Sequence, residues 1–100
     1  MTEPVLLRAP LRIDAVHPSL PGHFPGHPVV PGVVLLDRIA AMVEAAGLGR
    51  LARIRSVKFL VPLLPMQEAE VVVACTAGGG LRFRIERDGG TILVGEGESA

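Results

Sequence analysis

Residues 22–37 read Gly-His-Phe-Pro-Gly-His-Pro-Val-Val-Pro-Gly-Val-Val-Leu-Leu-Asp, and two side chains here could exchange protons with a bound substrate. They are His23 and, fourteen residues later, Asp37. An imidazole changes charge near neutral pH, so His23 can take a proton as a general base. Asp37 is the first charge after the apolar run Val33–Leu36. Burial on such a segment, with no fixed cation, favours the neutral carboxyl, which is a general acid. Between the two, Pro31-Gly32 marks a helix start. The first amides of a helix have no partner within it and lie at the positive end of its dipole, and Gly32 permits close approach. That is an oxyanion-type donor. A base, an acid and an oxyanion donor beside an apolar channel suit proton abstraction α to a carbonyl, coupled to loss of a β-hydroxyl.

The flanking elements must hold these groups in place. His17–Pro31 carries five of the nine prolines, a density that neither a helix nor a central strand survives. An ordered, stiff loop is expected, which loses little entropy on folding and can fix His23. The helix is predicted from Pro31 to about Ala46, with Pro31 at its first position and Gly47 as its stop. Asp37 then lies roughly 9 Å along the axis from Pro31. Asp37 and Glu44 fall within about 20° of each other on the helical wheel, with Arg38 about a quarter-turn away. The remaining circumference is apolar, so the helix should be surrounded rather than laid on a surface.

The rest of the chain reads as strands. Leu11–Val16 alternates apolar and polar residues ahead of the loop. Ile54–Pro62 follows the helix, and its apolar phase shifts near Ser56, which predicts a bulge. Glu70–Thr76, Leu81–Arg87 and Thr91–Gly95 are further strands, separated by the turns Ala77-Gly78-Gly79-Gly80 and Asp88-Gly89-Gly90. Hairpin-linked strands make an antiparallel sheet, and an apolar helix needs a concave face to wrap it. The expected class is α+β, a curled antiparallel sheet around one central buried helix.

Composition limits the partners. The 100 residues fit one domain, 1–100. They are 49% hydrophobic but 3% aromatic, so the core must be built from Val, Leu, Ile and Ala. So much apolar surface in so small a chain predicts a covering subunit, and a homodimer is the default. A net charge of zero argues against a nucleic-acid partner. No apolar run reaches the roughly 20 residues that span a bilayer, and the start of the chain does not read as a signal peptide, so a soluble, cytoplasmic protein is expected. The single Cys75 excludes an internal disulfide and a Cys-rich zinc site and reads as a core thiol. His17, His23 and His27 lack metal-ligand spacing. Arg50, Arg53, Arg55 and Lys58 come with no acid between them. They are either a solvated strand face or a dock for an acidic carrier.

Gly22-His23-Phe24-Pro25-Gly26-His27-Pro28-Val29-Val30-Pro31-Gly32-Val33, together with the acid at Asp37, resembles the active-site signature of the 3-hydroxyacyl-(acyl carrier protein) dehydratases, a hot-dog-fold family. Val57-Lys58-Phe59 is similar to the family's strand after the helix. The resemblance implies a short dehydratase-like member that converts a 3-hydroxyacyl thioester on acyl carrier protein to the trans-2-enoyl thioester, with no metal or other cofactor. It assigns catalysis to His23 and Asp37, the thioester-carbonyl hydrogen bond to the Gly32 N–H, and support of the His23 ring to the Val29 carbonyl. Phe24, Pro31 and Val33 would line the acyl tunnel. It also implies that one site draws its histidine and carboxylate from different subunits of a dimer, which higher oligomers can repeat.

The pattern is not followed throughout. Ala41 stands where many members carry a glutamine, Pro65-Met66-Gln67-Glu68 replaces a Pro-Gly-Asp turn, and the chain is short. Two other readings follow from the same fold. One is a hot-dog thioesterase in which Asp37 activates water, against which the Gly-His-Phe-Pro motif argues. The other is a non-catalytic acyl-binding or partner subunit.

Overall fold

Long stretches of β-branched and small apolar residues pair as an antiparallel sheet, and the one segment with helical periodicity packs on it. The computed structural model describes residues 3–14 and 29–100. Its elements are β1 (Val5–Leu11), α1 (Gly32–Ala45), β2 (Leu51–Phe59), β3 (Ala69–Cys75), β4 (Leu81–Arg87) and β5 (Gly90–Ser99). The sheet order is β1-β3-β4-β5-β2, antiparallel at every step. This is the α+β arrangement expected, with the strand that follows the helix crossing to the edge beside β5.

Alternation along the strands decides what is inside. Leu81, Phe83 and Ile85 of β4 point inward with Val71 and Val73 of β3 and Leu93 of β5. They meet Val34, Leu35, Ile39 and Val43 on one face of α1. Within one chain the sheet covers that face alone, and Val33, Asp37, Arg38, Ala41 and Glu44 are exposed. Cys75 is half-buried at the end of β3, and its thiol donates to the Thr76 carbonyl at 3.4 Å.

Several boundaries differ from the sequence expectation. The first strand is Val5–Leu11, not Leu11–Val16. The expected alternation is present as burial, with Leu11 and Ile13 inside and Arg12 and Asp14 outside, but residues 12–14 belong to no strand. The Ile13 carbonyl instead accepts from the Met66 N–H at 2.8 Å. Pro10 is tolerated in β1 because the strand lies at the sheet edge, where a proline's missing N–H costs no ladder bond. Residues 15 and 16 lie outside the described residues. Pro31 is the helix N-cap, with φ −60° and ψ 142°, rather than its first helical residue.

At the other end of the sheet, β2 begins at Leu51 and stops at Phe59, and its pairing with β5 shifts between Ile54 and Ser56, where the bulge was expected. Strand β5 extends to Ser99, beyond the predicted Gly95. The strand runs on through two glycines, Gly95 and Gly97. A Cβ on Gly95 would meet the Phe83 ring at 2.5 Å and the Ser56 carbonyl oxygen at 2.8 Å. Glycine there marks close approach to neighbouring strands, with Glu96 and Glu98 on the opposite face. In the turn that replaces Pro-Gly-Asp, Met66 adopts φ 69°, a conformation glycine takes without strain.

The outer face is laced by ion pairs. Arg8 meets Glu70 at 2.8 Å and Arg84 meets Glu86 at 2.8 Å. Arg82 reaches Glu3 at 2.8 Å and also binds Glu96, donating from Nε at 3.0 Å. The hydrogen bond and charge of Arg82 hold the Glu96 carboxyl below the usual carboxylate range. A carboxylate with a depressed value stabilises the fold above its unfolded value and ceases to do so as pH falls through its folded one.

Two measurements check these points. Gly95→Ala should lower unfolding free energy by about 1–3 kcal/mol in urea denaturation, the usual cost of overpacking. Glu96→Gln should melt at a slightly lower temperature than the wild type near pH 7, and the difference should vanish as the pH falls through the depressed range of that carboxyl. A difference independent of pH would contradict the Glu96–Arg82 assignment.

Candidate active site

The start of α1 is an unusual helix end. Pro31 occupies the N-cap and has no side-chain oxygen, and no side chain caps the helix. The first inward amides, Val34 and Leu35, donate to the Pro31 carbonyl at 3.0 and 3.4 Å. Among the described residues, the Gly32 and Val33 N–H groups have no acceptor. Ser, Thr, Asn or Asp at this position would occupy such amides with its own oxygen. Proline supplies no such oxygen, while its fixed φ still starts the helix.

Gly32 borders an apolar groove. A cavity of about 520 Å³ is lined by Val29–Gly32 and Leu35 on one side and by Phe59–Leu63 on the other. Its walls are tied by one backbone hydrogen bond, from the Val30 N–H to the Leu63 carbonyl at 2.9 Å. Beyond β2 the chain turns where Leu60 and Val61 both donate to the Ile92 carbonyl, at 2.8 and 3.3 Å. This seats Phe59, Leu60 and Val61 at the mouth of the groove, each more than half exposed. An apolar cleft bordered by the first amide at the positive end of a helix can hold a carbonyl that gains negative charge, with a hydrocarbon chain alongside.

Of the residues named from sequence, Val29, Pro31 and Gly32 line this groove, whereas Val33 is not among its lining residues and is 63% exposed. Asp37 is on the same helix but on the face turned away from the sheet, and it is exposed. The burial expected around it is therefore not supplied by its own chain. His23 and Phe24, like His17 and His27, lie outside the described residues. Phe59 and Leu60–Leu63 are site residues that sequence reasoning missed. Their signal was present in an apolar run, Phe59–Leu64, that continues past the end of a strand and alternates with nothing polar.

Arg50 precedes β2, and Arg53, Arg55 and Lys58 lie along it, all exposed. The run has no acid in sequence, but the neighbouring strand supplies one in space. Arg55 meets Glu98 of β5 at 3.5 Å. The cationic surface is therefore carried chiefly by Arg50, Arg53 and Lys58, for which no ion pair is present among the described residues. Among those residues, no helix is long and apolar enough to cross a membrane.

Comparison with known proteins agrees with this architecture. Solved structures share it along nearly the whole chain. The dehydratase heterocomplex ApeI:P from Xenorhabdus doucetiae superposes with a TM-score of 0.77 at 24% identity, covering 98% of this chain and 97% of that one. An uncharacterized protein from Erwinia carotovora gives 0.69, also at 24% identity, covering 98% and 95%. The fold is thus the hot-dog fold. Among curated relatives, the 3-hydroxyacyl-[acyl-carrier-protein] dehydratase FabZ of Syntrophomonas wolfei is 31% identical over 88 residues, 79% of this chain and 59% of its own length. The FabZ of Geobacter metallireducens is 34% identical over 73 residues, 59% of this chain and 47% of its own length. The chain thus spans about half the length of the curated relatives it matches. The family model for the ApeI dehydratase matches residues 3–97, and the chain belongs to the ApeI-like dehydratase family.

Proposed function

We propose that this protein dehydrates a 3-hydroxyacyl thioester, carried on acyl carrier protein, to the trans-2-enoyl thioester. The observation that carries this is the start of α1 at Gly32, which no side chain caps, directly after the histidine-bearing segment of the sequence and beside an apolar groove. The curated relatives, named for this dehydration, support it.

In this reading the Gly32 N–H binds the thioester oxygen and stabilises the charge that gathers there as His23 removes the α-proton. The electron pair left on the α-carbon forms the new double bond as the C–O bond to the β-hydroxyl breaks. Asp37, in its protonated form, gives its proton to the departing group, which leaves as water. The proton on His23 then returns to Asp37 through solvent, and no cofactor takes part. The Val29 carbonyl holds the imidazole in the orientation that makes it a base. Pro31, Val33 and Phe24 flank the acyl chain.

The exposure of Asp37 supports a shared site. A carboxyl must be shielded from water to work as an acid in a closed pocket, and the open face of α1 is where a second subunit would shield it. The proposed assembly is a homodimer of single-domain chains in the cytoplasm, each site taking its histidine from one copy and its carboxylate from the other. The kinship with a dehydratase heterocomplex favours one second reading, in which this chain is an acyl-binding subunit of a mixed assembly.

Incubation of the purified protein with a 3-hydroxyacyl-carrier thioester, followed by mass, separates the possibilities. Loss of water supports dehydration, a freed acid indicates thioester hydrolysis, and unchanged substrate supports the binding subunit. His23→Ala and Asp37→Asn should each lower the dehydration rate by about a hundredfold or more. Mixing the two inactive variants should restore part of the activity if the site is shared between copies, and no recovery would contradict sharing.

Arg50, Arg53, Arg55 and Lys58 are the proposed dock for the acidic carrier. Arg50→Glu with Arg53→Glu should raise KM for carrier-borne substrate about tenfold more than KM for the same acyl group on pantetheine, with the gap closing at high salt. Equal effects on both substrates would remove these residues from docking.

A further inference from the structure

The closest packing at the mouth of the groove joins a glycine to an aromatic ring. A methyl group placed on Gly32 would meet the Phe59 ring at Cζ, 2.6 Å away, and at Cε1, 2.7 Å away. The ring therefore fills the side-chain space of the residue whose amide faces the groove. It is held there from both sides. Phe59 is the last residue of β2, paired opposite Leu93, and the two amides after it are pinned to the Ile92 carbonyl. Within one chain the ring is 53% exposed, and it lines the groove. A ring that covers no core but occupies one edge of a binding groove is placed against whatever enters it.

Distances say which part of an entering molecule it meets. A Cβ sits about 2.5 Å from its own amide nitrogen, so the nearest ring carbons lie within about 5 Å of the Gly32 nitrogen. An oxygen bound to that N–H sits about 2.9 Å from the nitrogen, and the carbonyl carbon about 1.2 Å beyond it. Gly32 and Phe59 line the same cavity, so the atoms flanking that carbonyl, the α-carbon and the sulfur of a thioester, enter the end of the groove that the ring walls. Leu60–Leu63 line the groove beyond it and meet the distal chain.

We infer that Phe59 is a specificity-determining residue that confines the bound acyl group to one unbranched at the carbon next to its carbonyl. Smaller residues at position 59 open room for an α-methyl group, and the absence of a side chain on Gly32 is the counterpart of the ring. The inference rests on the dehydratase reading for its substrate class, but not for its binding test.

The probes are a 3-hydroxyhexanoyl group and its 2-methyl counterpart on pantetheine. Each is prepared as the thioester for turnover and as the unreactive amide for calorimetry. The wild type should bind the unbranched amide more tightly, and Phe59→Ala and Phe59→Leu should each shift that preference toward the 2-methyl amide by at least about tenfold. Gly32→Ala alone should lose binding and melt earlier, and Phe59→Ala added to it should restore both. A preference unchanged in the two Phe59 variants overturns the inference, even if both bind more weakly. Loss of preference in binding without turnover by the wild type leaves Phe59 in its role and removes the dehydratase reading instead. Failure of the wild type to bind either amide overturns both.

Discussion

A single backbone hydrogen bond, Val30 N–H to the Leu63 carbonyl at 2.9 Å, joins the segment that enters the helix to the segment that leaves β2. The groove exists because these two stretches are held side by side. Neither is regular structure, so neither brings a ladder of its own to fix the spacing. The bond also registers Gly32 against Phe59, and their tight fit then sets how the helix start is oriented. With Gly32 at the wall of an apolar cleft, the field at the end of α1 acts beside apolar surface, where a developing negative charge is stabilised most.

Much of this was legible in the residues. The antiparallel strands, the helix and the bulge near Ser56 follow from periodicity and from glycine and proline punctuation, and β4 matches at both ends. The misplacements have one physical origin. Local pattern reports burial, whereas strand membership is decided by which neighbour is available. Leu11–Asp14 alternates in burial without a ladder, while Pro10 sits in a strand because that strand has one neighbour only. Gly95 was the expected end of β5, although the small size of Gly95 and Gly97 is what lets β5 lie close to Phe83 and to the backbone of β2.

The site was legible in a different way. Pro31, Gly32 and Val29 were marked by helix-end chemistry and by the motif, and they do line the groove. Phe59–Leu63 were not marked, because an apolar run reads as core until the fold leaves it at a rim. Asp37 shows the complementary limit. Periodicity placed it correctly on the helix wheel, but a wheel gives no account of which side a sheet will cover. The unpaired face of α1 is a property of the assembly of elements, not of the helix.

The two edges of the sheet are not equivalent. On β1, Pro10 removes a donor, and in an edge strand a proline stands with its nitrogen turned away from its one neighbour. An incoming strand therefore meets a gap on that side, whereas β2 ends the other side without a proline. The β1 margin thus offers an incoming strand one backbone donor fewer than its length would give, whereas the β2 margin loses none to proline.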